Sequence, residues 1–182
     1  MNRLKEKYNE IKKDLMKDLQ IKNSMQLPKI QKVVVNAGIG DFRDDKGALE
    51  TFTTELADIT GQKPVERKAR LSEAGFKIRK GDVVGLSVTL RGDNMWVFLD
   101  KLIGISLPRV KDFRGLNEKA FDKAGNYSIG IKEHAIFPEV NPNTTKGIRH
   151  LQVTVVTKAG NAKESEILLR ELGFPLRKKD NG

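Results

Sequence analysis

The 182-residue chain contains no cysteine. Disulfides, thiolate zinc sites and iron–sulfur clusters are therefore excluded, and a reducing compartment suits it. Histidine is scarce too. His134 and His150 are the only two, and neither has a partner at metal-ligand spacing. No apolar run approaches the ~20 residues that a membrane span needs. The opening residues, Met1-Asn2-Arg3-Leu4-Lys5-Glu6-Lys7, lack the apolar core of a secretory signal. Walker A, HExxH and GxSxG patterns are missing. These gaps predict a soluble cytoplasmic protein that is not an enzyme and that uses no metal and no cofactor. A hydrophobic content of 38% suffices for one globular domain over residues 1–182 without covalent or metal staples.

Positive charge is what the chain has in excess. Thirty-four Lys and Arg against 24 Asp and Glu give a formal net charge of +10, and the pI of about 9.7 points to a polyanionic partner. The charge is clustered. Gln62–Lys80 carries Lys63, Arg67, Lys68, Arg70, Lys77, Arg79 and Lys80 against Glu66 and Glu73, a local +5 and half of the total. It breaks at Ser72-Glu73-Ala74-Gly75, so it reads as a basic arm with a small-residue tip. Gly75 and Gly81 would let the tip bend. Phe76 reads equally as a stacking surface between cations or as an ordinary core residue.

Periodicity predicts an α+β fold, with helices packed on one face of a mainly antiparallel sheet in two layers, and an extended basic loop. Leu4, Tyr8, Ile11, Leu15 and Leu19 form one stripe of a helix over about 3–21, within an N-terminal segment at 1–24. Further helices are predicted over 46–60 and 94–103. Strands are predicted over 29–36, 83–91, 127–131, 134–137 and 151–157. The last helix has the clearest signals: Asn161 as cap, Glu164 three residues on, and Gly173 and Pro175 as stops. Trp96 and Tyr127 read as packing residues. A sheet covered on one side leaves its other face free, and such a face can lie against RNA.

Two catalytic readings find little support in the residues. Gly38-Ile39-Gly40 follows a strand, but the third glycine of a dinucleotide-binding pattern would fall at Arg43. Glu133 and His134 are adjacent, and adjacent side chains on a strand diverge. Asn36, a polar amide near the end of an apolar strand, is the more informative residue, since it can read a base edge or a ribose. Arg109, Lys111 and Arg114 form a second basic group in an irregular section. Arg177-Lys178-Lys179 forms a third, read as a solvated tail over 176–182.

Several motifs occur together and in order: KIQKVVVNAGIGD at 29–41, ITGQKPV at 59–65, AGFKIRKG at 74–81, VTLRG at 88–92, LPRVKDFRGL at 107–116, FDKAGNYSIGIKE at 121–133 and IFPE at 136–139. On these, the chain resembles the bacterial large-subunit ribosomal protein family numbered five, the 5S-rRNA-binding protein of the central protuberance. The resemblance runs from about Met25 to Lys178. It implies a single RNA-binding ribosomal domain that attaches 5S rRNA to the 23S rRNA. It implies 5S contacts at Asn36, Gln62, Lys63, Thr89 and Arg91. It implies a loop, 71–81, that reaches the peptidyl-site tRNA through Ser72, Gly75, Phe76, Lys77, Arg79 and Lys80. Arg109, Lys111 and Arg114 become a secondary rRNA contact. A small-subunit head protein would be met at an intersubunit bridge, the protein being a monomer within the ribosome. The alternatives kept open are a nucleotide-dependent enzyme using the Gly38–Gly40 turn and a general RNA chaperone.

Overall fold

The computed structural model of the chain describes residues 3–43, 45–141, 145 and 147–177. Four helices, α1 (Arg3–Asp18), α2 (Lys46–Thr60), α3 (Gly92–Lys101) and α4 (Ala162–Leu172), accompany five strands: β1 (Lys29–Gly38), β2 (Val65–Lys68), β3 (Val83–Leu90), β4 (Tyr127–Ile131) and β5 (Leu151–Lys158). The strands form one mainly antiparallel sheet in the order β2-β3-β1-β5-β4, giving the α+β class predicted from periodicity. No helix among the described residues is long and apolar enough to cross a membrane.

The chain divides into two compact units. One comprises Met1–Val33, Arg91–Ile129 and Thr154–Gly182. Here α1 lies against α3 and α4. Tyr8 stacks on Trp96 at 5.6 Å between ring centroids and donates its hydroxyl hydrogen to the Pro28 carbonyl at 3.2 Å. Leu4 and Leu15 are the buried residues of α1. Tyr127 is buried and donates its hydroxyl to the Asn117 carbonyl at 2.8 Å. Burial, with Glu118 nearby, pushes that phenol up to about 12. Asn161 caps α4 by accepting the Glu164 amide at 2.9 Å. The Glu164 carboxylate reaches back to the Gly160 amide at 2.7 Å, one residue earlier than a capping box requires. The cationic tail beyond Arg177 lies outside the described residues.

The other unit comprises Val34–Leu90 and Gly130–Val153. α2 buries Ala48, Phe52, Leu56 and Ile59 and lies against β3. On β3, Leu86, Val88 and Leu90 are fully buried and form its core face. Gly85 lets β1 approach closely, because a Cβ there would sit 2.9 Å from the Ala37 carbonyl oxygen. β2 pairs antiparallel with β3, Val65 opposite Ser87 and Arg67 opposite Gly85, with a bulge between Arg67 and Lys68. No periodicity in the sequence marks this strand.

The stretch 134–137, predicted as a strand, is instead a 3-10 turn over His134–Ile136. His134 is 1% exposed and anchors the turn. Its amide donates to the Arg149 carbonyl at 3.0 Å, and its Nδ1 accepts the Arg149 amide at 3.3 Å. That acceptance leaves the proton on Nε2, which donates to the Glu55 carboxylate at 3.1 Å. The other Glu55 oxygen accepts the Thr145 hydroxyl at 2.6 Å. Pro138 blocks continuation into a ladder, and the ring takes bonds that a strand would have placed elsewhere.

Candidate nucleic-acid interface

Residues directly opposite one another in an antiparallel pair share a face. Val65 and Arg67 therefore lie on the same side of the sheet as Ser87, Gly85 and Thr89, opposite the Leu86–Leu90 core face. On neighbouring β1 the buried Val35 and Ala37 alternate with the more exposed Val34, Asn36 and Gly38, which define its open side. Across β1, β2 and β3 this side consists of Gly, Ser, Thr, Asn, Arg and two valines, with Gly85 and Ser87 themselves buried. It has no acidic and no aromatic residue. Such a surface offers hydrogen bonds and a cation on a floor of small side chains. It has no ring on which a base could stack, so it suits a backbone or a helical nucleic acid better than splayed bases.

Asn36 is exposed on β1, and Thr89 is half-buried on β3. Gln62 and Lys63, both exposed, enter β2 from Gly61, which ends α2 with φ 67°. The entry is fixed by Thr60, whose hydroxyl is shared between the Leu56 carbonyl at 2.7 Å and the Gln62 carbonyl at 3.0 Å. Lys63 lies two residues before Val65, where β2 begins to pair with β3 at Ser87. Arg91 follows β3 directly and caps α3 without a side-chain bond. Among the described residues, the side chains of Asn36, Gln62, Lys63, Thr89 and Arg91 make no hydrogen bond or ion pair. They are polar groups held by ordered backbone and available to a ligand. Arg67, which by sequence counts only as arm charge, joins the open side through its register with Gly85, and no sequence pattern reveals that register.

The arm 69–82 is compact. Its base closes through the Ala69 amide to the Asp82 carbonyl at 2.8 Å and the Gly81 amide to the Ala69 carbonyl at 3.0 Å. Glu73 and Ile78 exchange backbone bonds of 2.8 and 3.0 Å across the tip. The bend itself falls at Lys77, φ 52°, and Gly81, φ 99°. Gly75 sits in a 3-10 turn outside the left-handed region, so the bend does not use its conformational freedom. Phe76 is 75% exposed and Leu71 80% exposed, which excludes the core role for Phe76. Lys63, Arg67, Lys68, Arg70, Lys77, Arg79 and Lys80 are all exposed, and none forms an ion pair among the described residues.

Arg109, Lys111 and Arg114 are exposed along 107–116, beyond a π turn at Leu102–Ser106. The segment is tied down at Leu116, whose amide donates to the Pro175 carbonyl at 2.8 Å and whose carbonyl accepts the Arg177 amide at 3.0 Å.

The Gly38–Gly40 turn offers no nucleotide site. α2 begins several residues beyond Gly40, and its N-terminus is already capped by the Asp45 carboxylate, which accepts the Ala48 amide at 3.0 Å. An anion there would meet a carboxylate in the position a phosphate needs.

Comparison with known proteins agrees with the residues. The family model described as ribosomal protein L5 matches residues 23–79, and the model of the C-terminus of the same ribosomal family matches 83–176. The chain is 49% identical over 175 residues to the large ribosomal subunit protein uL5 of Synechococcus sp. (strain RCC307), covering 96% of this chain and 98% of the relative. It is 51% identical over 176 residues to uL5 of Ureaplasma parvum serovar 3, covering 96% of each. It is 49% identical over 176 residues to uL5 of Anaeromyxobacter sp. (strain Fw109-5), covering 96% and 98%. With both family models matched in order and near-complete relatives at about half identity, the chain belongs to the ribosomal protein L5 family, whose members are structural, non-enzymatic components of the ribosome.

Proposed function

We propose that this protein binds 5S rRNA in the large subunit of the cytoplasmic ribosome and attaches it to the 23S rRNA in the central protuberance. The observation that carries the reading is the open side of β1 and β3 with the β2 entry: unpaired Asn36, Gln62, Lys63 and Thr89 on an acid-free surface, with Arg91 next along the chain. Lys63 and Arg91 neutralise phosphates, while Asn36, Gln62 and Thr89 supply hydrogen bonds that fix register. The arm serves a second RNA, the peptidyl-site tRNA, through Phe76, Lys77, Arg79 and Lys80. Arg109, Lys111 and Arg114 make a secondary rRNA contact, and a small-subunit head protein is met at an intersubunit bridge.

Filter binding of the purified protein to 5S rRNA tests the first part. Asn36→Ala and Gln62→Ala should each weaken binding by about threefold to tenfold at fixed salt, the worth of one hydrogen bond to RNA. Wild-type affinity in both would remove the recognition role. Equal affinity for an unrelated structured RNA of the same length would favour a general RNA chaperone instead.

A further inference from the structure

The arm runs from Ala69 to Asp82, and none of its side chains is buried. Exposed loops with so little apolar burial are ordinarily the least ordered parts of a chain. Here, however, side-chain acceptors serve two successive backbone amides. The Asp82 carboxylate accepts the Arg79 amide at 2.8 Å, and the Ser72 hydroxyl oxygen accepts the Lys80 amide at 2.9 Å. Ser72 lies eight residues from Lys80, so its bond joins the two limbs of the arm. The Glu73–Ile78 pair closes the tip above it, and the Ala69 bonds to Asp82 and Gly81 close the base. The limbs are thus tied at tip, middle and base.

These ties also assign residue roles. Ser72 has its oxygen engaged within the arm. Glu73 contributes through its backbone, whose amide and carbonyl hold the pairing with Ile78, a role open to any residue other than proline. Asp82, an acid close to Lys77, Arg79 and Lys80 in sequence, makes no ion pair among the described residues and serves as a backbone acceptor.

We propose that the arm is folded before it meets RNA, and that Ser72 and Asp82 are positioning residues which hold the Arg79-Lys80 backbone in its binding conformation. A preformed arm avoids most of the ordering cost that a disordered basic loop would meet on binding. The functional consequence rests on the reading of the arm as a tRNA contact; the order of the free arm does not depend on it.

Hydrogen–deuterium exchange read at single amides in the free full-length protein tests the order. The amides of Glu73, Ile78, Arg79 and Lys80 should exchange at least about tenfold more slowly than in an unstructured chain. Ser72→Ala should release the Lys80 amide and Asp82→Ala the Arg79 amide. Ser72→Thr and Asp82→Asn, which keep an acceptor oxygen, should restore them. In ribosomes rebuilt with each variant, Ser72→Ala should weaken retention of peptidyl-site tRNA by about threefold to tenfold, with the salt dependence unchanged because no charge is lost. Lys80→Ala should instead flatten the salt dependence. Exchange of all four amides at unstructured rates in the wild type would overturn the proposal. So would a Lys80 amide indifferent to Ser72→Ala. Protected amides with unaltered tRNA retention in every variant would uphold the folded arm and overturn the tRNA assignment.

Discussion

Away from the open sheet face, His134 joins α2 to the Arg149 backbone through a buried imidazole. Burial holds its imidazole below the ordinary value of 6.5, the nearby Arg149 guanidinium adds to the effect, and the Glu55 carboxylate opposes it. A histidine depressed in the folded state binds fewer protons than in the unfolded chain. Its contribution is therefore fully present above 6.5 and is lost as pH falls below that value. Thermal melts between about pH 7.5 and pH 5.5 should show a steeper loss of stability in the wild type than in His134→Phe, which has no such titration. Parallel curves would contradict the sign. Glu55→Ala strands the buried Nε2 proton, while the Thr145 hydroxyl keeps the Asn141 carbonyl at 3.0 Å; the loss should cost about 1–3 kcal/mol, read as a lower denaturant midpoint. Sequence patterns cannot find this pair, because 79 positions separate the partners. Phe76 is ambiguous in sequence for a related reason. An aromatic in a basic stretch buries or projects according to whether a core lies beside it, and that depends on the sheet edge, not on its neighbours.

At the scale of elements, legibility follows burial. α2 is legible to both ends because its apolar face is periodic and its cap and stop are local. α4 is legible from Asn161 and Gly173 for the same reason. α1 ends at Asp18, short of the 3–21 span that its apolar stripe predicts, and Leu19 follows its last turn. β2 is invisible in the sequence because all four of its residues are exposed, which leaves no alternation to detect. It is an edge strand kept by backbone pairing, with Arg67 and Lys68 and a bulge that discourage further pairing. The arm that continues from it depends on Gly81 at φ 99°. Gly81→Ala should loosen the arm by about 1 kcal/mol, the cost of a Cβ in left-handed backbone, seen as faster exchange of the Glu73 and Ile78 amides. Unchanged exchange would show that the arm does not depend on this bend.

For the whole molecule, the +10 charge makes a polyanion partner legible at once, and the ordered motifs make the family legible. Composition cannot show the division of labour among cations, because it depends on which of them share a sheet face. The arm charges project without ion pairs, whereas the sheet residues combine a few hydrogen-bonding groups on an ordered floor. Binding of 5S rRNA should weaken as salt rises, by about one unit of log–log slope for each phosphate neutralised. Lys63→Ala should reduce that slope, while Asn36→Ala should lower affinity and leave the slope alone. A paired titration tests the separation of sheet from arm most directly. With 5S rRNA at one fixed salt concentration, the triple variant Lys77→Ala, Arg79→Ala, Lys80→Ala should bind within about twofold of wild type, the small change expected of cations away from the contact. Under the same conditions Asn36→Ala combined with Gln62→Ala should lose about tenfold or more. Collapse of 5S binding in the arm variant, with the sheet variant unaffected, would contradict that separation.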